Sequence, residues 1–411
     1  VPVWHALTER FRDDGRLAVV GITQEQHPDR TRLFARWQGL DWPILWDPFN
    51  LSGSAVVPRM ILVDEHGVVR STRARPHELE TFLATEHAPP AAGTVPPAAD
   101  PGAPRLLAAG EAAWREQARE ALSDLLWGRG DVDAAIEALE RDLAAVSSAA
   151  RSVGAPDLDA YATGVLAPTT FRLGVAHRMR HDGPGARPGD FQRALDLWAA
   201  ALELDPNQYI WRRRLQQYGP RLDKPYPFYP WIDEARDALR ARGEEVAPLS
   251  AALTETERAG PGDVTGGPGA SGADEPDPRG RIDRDGRLVT IDVAVAAVTR
   301  DAEAVRAHVR LRPDDDARAH WNNEVEPLRV WLDLPEGLAA DGRLHEAPMP
   351  DEPLSSEPRL IDVELERAPG APWPERVDGY ALYYVCEDVD GQCLYRRQDF
   401  TIPLAHLAPS R

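Results

Sequence analysis

The chain has 411 residues, of which 47 are basic and 67 acidic, giving a net charge of −20, and 43% are hydrophobic. An acidic surface of that size repels nucleic acid and anionic membranes, which removes both as partners held by broad electrostatics. The apolar content supports buried cores, and the length fits two to four domains.

Val3, Trp4, Leu7 and Phe11 recur at helical spacing over residues 1–13, and Asp14 with Gly15 marks the stop. Leu17, Val19, Val20 and Ile22 lie in a continuous apolar run, which predicts a strand buried on both faces of a parallel sheet. Pro28 opens a second helix that presents Leu33, Phe34 and Trp37. A short strand follows at 43–46, then two strands within 56–70 joined at an acidic-glycine turn, then a helix over 76–83. That succession predicts an α/β domain with a mixed sheet.

The runs LAVVGIT at 17–23 and VVPRMILVDEHGVVR at 56–70 resemble the thioredoxin superfamily, in its envelope-associated TlpA/ResA-like branch. The resemblance implies a cis peptide at Val57–Pro58, beside an active site where the backbone pairs with an extended substrate. That family sets a first strand and a Cys-x-x-Cys motif before the helix that here starts at Val1, and neither is in this sequence. Residues 1–86 are therefore expected to be a thioredoxin-like domain lacking its first strand and active-site motif. Two explanations fit: the leading one is a fragment whose missing parts and any signal peptide precede the chain given, the other a domain naturally reduced to a scaffold.

Residues 87–104 are rich in alanine and proline and predict a semi-rigid linker. Residues 105–250 read as helical. GDVDAAIEAL at 130–139 and DFQRALDLWAAALELDPN at 190–207 resemble the second helix of a tetratricopeptide repeat, with 171–180 as the first helix of the latter. About eight extra residues, 181–188, depart from the regular 34-residue unit. Downstream, Arg212 and Arg213 precede an aromatic-proline run with Tyr226, Phe228 and Trp231. Cations beside aromatics suit a groove for an acidic or extended client peptide, but the favoured expectation is that the aromatics pack the end of the helical array while the arginines solvate its face or pair with its acids. Residues 251–280, rich in glycine and proline, predict a flexible linker that lets the last domain swing.

From 281 to 408 the apolar period changes to two, with alternating stretches at 288–295, 305–311, 328–334, 360–365, 380–385, 393–395 and 400–404. Roughly seven strands of this kind predict an antiparallel β-sandwich. Cys386 and Cys393 are the only cysteines in the chain. An aromatic strand leads into Cys386, Asp390 and Gly391 give a turn signal, and a second aromatic strand leaves Cys393. With a four-residue loop at 388–391, Glu387 faces Gln392 and Cys386 faces Cys393, near the Cβ separation of about 3.8 Å that a disulfide requires. Locally a static staple, a redox couple and two unpaired thiols all fit. Glu387, Asp388 and Asp390 raise a thiol pKa, while Arg396 and Arg397 lower it.

YYVCEDVDGQCLYRRQDFTIPL at 383–404 and WNNEVEPLRVWLDLPEGL at 321–338 resemble the periplasmic immunoglobulin-like domain of DsbD, a thiol–disulfide reductase. The resemblance implies an immunoglobulin-like sandwich in which Cys386 and Cys393 are the catalytic pair, exchanging electrons with a thioredoxin-like or Dsb-type partner. It implies no cofactor. His308, His320, His345 and His406 are scattered and make no metal-ligand spacing with the cysteines. No phosphate-cradling loop or nucleophile elbow is present in the sequence.

The fold expectation is thus a multidomain chain combining α/β, all-α and all-β parts. The leading functional expectation is an extracytoplasmic, periplasm-type thiol–disulfide oxidoreductase, a location that sparse, paired cysteine favours. Its partner thiols lie in another protein or in its own N-terminal domain when complete, where the 260–280 tether gives an effective concentration of about millimolar provided its reach permits contact. In a relay of this kind Cys393→Ser leaves a trappable mixed disulfide. The rival expectation is a non-catalytic scaffold with a structural disulfide and protein-binding helical repeats.

Overall fold

The computed structural model describes residues 2–90, 109–220, 226–251, 253–258, 275–276, 280–297, 299, 302–387 and 392–407. Helices and predominantly antiparallel sheets alternate along the chain in blocks. Internal contacts group it into two units: Val1–Met179 with Ala200–Trp211 and Trp231–Ala251, and Arg180–Ala199 with Arg212–Pro230 and Ala252–Arg411. Most of the linkers expected at 87–104 and 251–280, and the 388–391 loop, lie outside the described residues.

The first unit opens with α1 (Pro2–Asp13), whose Trp4, Leu7 and Phe11 pack with Leu62, Ala74 and Leu79 in one apolar cluster. β1 (Gly21–Thr23) and β2 (Ile44–Trp46) pair in parallel around α2 (Pro28–Gln38). Gly39 ends α2 at φ 64°, the left-handed position that a C-terminal glycine occupies without a Cβ penalty. β3 (Leu62–Val63) and β4 (Val69–Ser71) form an antiparallel pair, and α3 (Glu78–Ala84) follows. Asp64 closes the β3–β4 turn by accepting from the backbone N–H groups of His66 and Val68, both at 2.9 Å, and from Arg70 at 2.6 Å.

Two expectations for this region need correction. The run 17–22 is not a buried strand: only Gly21 and Ile22 of it are in β1, and Ile22 is 57% exposed opposite Leu45, which is 55% exposed. Val20, Ile22 and Leu45 are all exposed, so these apolar side chains at the two-stranded ribbon are not packed into a core. Nor is there one mixed sheet among the described residues. The parallel pair and the antiparallel pair are separate.

The helical stretch comprises α4 (Ala109–Leu126), α5 (Val132–Ala150), α6 (Ala155–Tyr161), a π turn at Ala162–Leu166, α7 (Ala167–Asp182), α8 (Asp190–Leu204), α9 (Tyr209–Gln216) and α10 (Ile232–Ala241). Asp131 caps α5 through its side chain on the N–H of Asp133, satisfying one of the orphan donors of the first turn. Tyr161 reaches back to the Val146 carbonyl at 3.0 Å, and Phe171 stacks on Trp211 with centroids 4.8 Å apart, both within the first unit.

In the second unit a short α11 (Glu255–Arg258) precedes the strands β5 (Arg281–Ile282), β6 (Val289–Ala296), β7 (Ala304–Pro313), β8 (His320–Asn322) and β9 (Arg329–Asp333). They continue with β10 (Leu338–Ala340), β11 (Leu344–Glu346), β12 (Leu354–Ser355), β13 (Arg359–Arg367), β14 (Arg376–Cys386) and β15 (Cys393–Pro403). One sheet runs β10-β13-β7-β6. The other runs β11-β9-β14-β15-β5, with β8 joining β12 to β14. Val309 and Val363 from the first sheet meet Val330, Ala381, Tyr383 and Ile402 from the second in a single core. The other face of the four-stranded sheet carries directly opposed polar pairs, the Arg306–Glu364 ion pair at 2.7 Å and the His308–Asp362 hydrogen bond at 2.6 Å.

The segments expected as separate strands at 393–395 and 400–404 are one eleven-residue strand, paired with β14 from Arg376–Pro403 to Cys386–Cys393. The charged run Arg396, Arg397 and Asp399 reads as a break in sequence. In space it follows the pleat. Arg397 and Asp399 face outward, while Leu394, Phe400 and Ile402 pack against the core.

Candidate functional site

The end of the β14–β15 hairpin holds the two cysteines, and the period of two decides which face they share. Val377, Ala381, Tyr383 and Val385 of β14 point into the core, so Tyr380, Leu382, Tyr384 and Cys386 line the opposite face. β15 contributes Cys393, Tyr395, Arg397 and Asp399 to that same face, each directly across from its β14 partner. Read from the loop, the rungs are Cys386 with Cys393, Tyr384 with Tyr395, Leu382 with Arg397, and Tyr380 with Asp399.

Cys386 and Cys393 are joined as a disulfide, with Cα atoms 3.9 Å apart. The N–H of Glu387 donates to the Gln392 carbonyl at 3.2 Å, so the pairing extends one residue past the cysteines. The two cysteines differ sharply in access. Cys386 is 1% exposed, because β14 is flanked on both sides, whereas Cys393 is exposed on the loop end of β15.

Behind the disulfide, the rings of Tyr384 and Tyr395 sit with centroids 4.6 Å apart. Burial raises the Tyr395 phenol above 10, with Arg329 pulling against it. Two rungs further, Arg397 lies 3.9 Å above the Tyr380 ring, and Tyr380 donates to Glu275 at 2.9 Å. Burial, and then Glu275, push the Tyr380 phenol well above its usual value.

The strand on the other side of β14 supplies a neighbour that sequence reading set aside. β8 pairs with the end of β14 so that Trp321 faces Val385 and His320 faces Cys386. Trp321 points into the core, which puts His320 on the face of the disulfide. The turn before β8 fixes this placement. Asp314 accepts from the Ala317 N–H at 2.7 Å, its carbonyl accepts from Ala319 at 2.9 Å, and Arg318 adopts φ 48°. The signal was slight in the sequence: the pattern Ala319, His320, Trp321 alternates, but its register against a strand 66 residues away is not encoded locally.

No protein-family model matches the chain, and no similar curated protein was found. The assignment of this site therefore rests on its geometry.

The remaining sequence candidates lie elsewhere. The Val57–Pro58 peptide is cis, Val57 is exposed, and both belong to the first unit, which contains no cysteine. In the second unit the Arg213 guanidinium lies 4.2 Å from the Tyr226 ring centroid and 4.5 Å from that of Phe228, with Arg213 itself buried. Arg212 beside it is half-buried. Trp231 belongs to the first unit, where it stacks on Trp37 at 6.0 Å and meets Phe34 edge-on at 5.3 Å. Arg213 and these aromatics thus make packing contacts within their own units. Among the described residues no group of His, Cys, Asp or Glu is arranged to hold a metal ion, and no helix is long and apolar enough to cross a membrane.

Proposed function

We propose that this protein is an extracytoplasmic thiol–disulfide oxidoreductase in which Cys386 and Cys393 exchange electrons with a thioredoxin-like or Dsb-type dithiol partner. The observation that carries this reading is the unequal access of the two sulfur-bearing residues on one strand rung. Thiol–disulfide exchange needs one sulfur open to attack along the S–S axis and a second positioned to leave and later return. Cys393 is the open one. An incoming thiolate bonds to Cys393 Sγ, the S–S bond breaks, and its electron pair goes to Cys386 Sγ. The second partner thiol then attacks the mixed disulfide, releasing Cys393 and leaving the partner oxidised by two electrons.

In this reading the sheet-rich part is a DsbD-type immunoglobulin-like domain, the N-terminal part is thioredoxin-like, and the helical part is a tetratricopeptide-like positioning module. The chain given holds no second thiol pair, so its partner thiols come from a separate protein or from sequence beyond it.

The test is capture of the mixed disulfide. Attack at Cys393 makes Cys386 the resolving residue, so Cys386→Ser, and not Cys393→Ser, is the trapping variant. The remaining cysteine of each variant is first converted to its thionitrobenzoate mixed disulfide. A thioredoxin whose own resolving cysteine is replaced should then displace thionitrobenzoate and form a reducible covalent adduct with Cys386→Ser, and little or none with Cys393→Ser. Absence of an adduct with either variant would leave the disulfide a structural staple.

A further inference from the structure

We infer that His320 is the proton donor to Cys386 when the disulfide opens. This inference rests on the proposed exchange chemistry and adds to it the fate of the buried sulfur. The thiolate expelled onto Cys386 forms at a position 1% exposed, where water cannot solvate it and an unpaired charge is costly. The site must neutralise it, and few groups are near enough to do so.

His320 stands directly opposite Cys386 on β8, as Cys393 does on β15, so the disulfide and the imidazole flank the same residue on one face. Directly opposed residues in an antiparallel pair hold their Cβ atoms about 4.5–5.5 Å apart, within the span of an imidazole side chain. His320 Nδ1 lies 3.3 Å from the Arg318 carbonyl oxygen. That oxygen can only accept, so Nδ1 carries a hydrogen and Nε2 is the atom that gains and loses the exchangeable proton. His320 is half-buried, open enough to reload from solvent.

The other titratable groups around Cys386 are poorer donors. Glu387, the residue after β14, continues the pairing through its N–H to Gln392 and so follows the opposite pleat direction from Cys386. Tyr384 and Tyr395 share the face one rung away, and burial raises the Tyr395 phenol further above neutrality. Glu357, beyond β12, offers its carbonyl to the Trp321 indole N–H. Arg318 and Arg329 are permanent cations that attract the thiolate but have no proton to give near neutral pH.

A dithiol reductant's thiolate bonds to Cys393 Sγ, the Cys386–Cys393 bond breaks heterolytically, and the pair on Cys386 Sγ takes the Nε2 proton of the imidazolium. The products are a mixed disulfide at Cys393, a neutral Cys386 thiol and a neutral His320. The reductant's second thiolate completes the reaction and leaves as a disulfide. In the reverse direction neutral His320 is the base that deprotonates Cys386.

The experiment follows reduction of the purified chain by dithiothreitol from pH 5.5 to 8.5, each rate constant divided by the dithiothreitol thiolate concentration at that pH. For the wild type the normalised constant should fall at least about tenfold as His320 loses its proton. For His320→Gln it should be pH-independent and equal to the wild-type high-pH limit, and imidazole added to His320→Ala should restore the low-pH rate. Variant profiles that superimpose on the wild type, with no imidazole response, would overturn the inference. Should the variants not fold, NMR titration of the wild-type His320 ring decides instead. Its midpoint should differ between the oxidised and reduced protein, and an unchanged midpoint would overturn the inference. Dithiothreitol opens structural disulfides too, so this experiment is independent of whether thioredoxin reacts, and the two claims fail separately.

Discussion

Asp142 lies in α5 at 5% exposure, and burial holds its carboxyl above the usual 3.8, with Arg115 and Arg172 pulling the other way. A carboxyl whose pKa is higher in the fold than in the unfolded chain prefers to be neutral there. Its ionisation therefore weakens the fold, fully above the raised pKa and not at all below the unfolded value. Asp142→Asn should raise the melting temperature by about 2 °C at pH 7, and the gain should vanish below about pH 3.8. A gain that stays constant across that range would mean the effect is packing and not charge. The same question of what surrounds a side chain separates the two cysteines. Their pairing could be read from the aromatic strands and the turn signal alone, because both features are local. Their unequal exposure could not, since Cys386 is buried by β8, which lies 64 to 66 residues earlier in the chain.

At the level of elements, the β14–β15 hairpin is the longest ladder in the sheets, and Gly379 is its tightest point. A Cβ there would come within 2.6 Å of the Trp331 carbonyl oxygen, 3.0 Å of Leu332 and 3.2 Å of Phe400. The nearest atom is backbone in a paired strand and cannot swing aside. Gly379→Ala should therefore destabilise the sheet-rich unit by about 1–3 kcal/mol in a denaturant titration, and a neutral result would show that β9 can shift. Helices α1 and α2 were legible from apolar residues at a helical period, with a stop after the first and a proline opening the second, whereas α5, α7 and α8 were read from their likeness to tetratricopeptide helices. The strand at 17–22 misled because an apolar run reports affinity for a second layer, not its presence. β15 misled in the opposite sense. Its charged residues looked like a break, although alternate positions still faced the core.

For the whole molecule, a net charge of −20 disfavours non-specific association with nucleic acid and anionic membranes and does not by itself select a protein partner. The proposed partner is a dithiol protein that meets the cysteine rung, so the redox behaviour of that rung is what decides the proposal. The most direct measurement is the reduction potential of the Cys386–Cys393 couple, obtained by equilibrating the protein with glutathione and thioredoxin buffers at pH 7. An exchanging couple should give a value between about −120 and −270 mV, in the range of proteins that exchange electrons with one another. A value below about −300 mV, in the range of structural disulfides, would contradict the proposal.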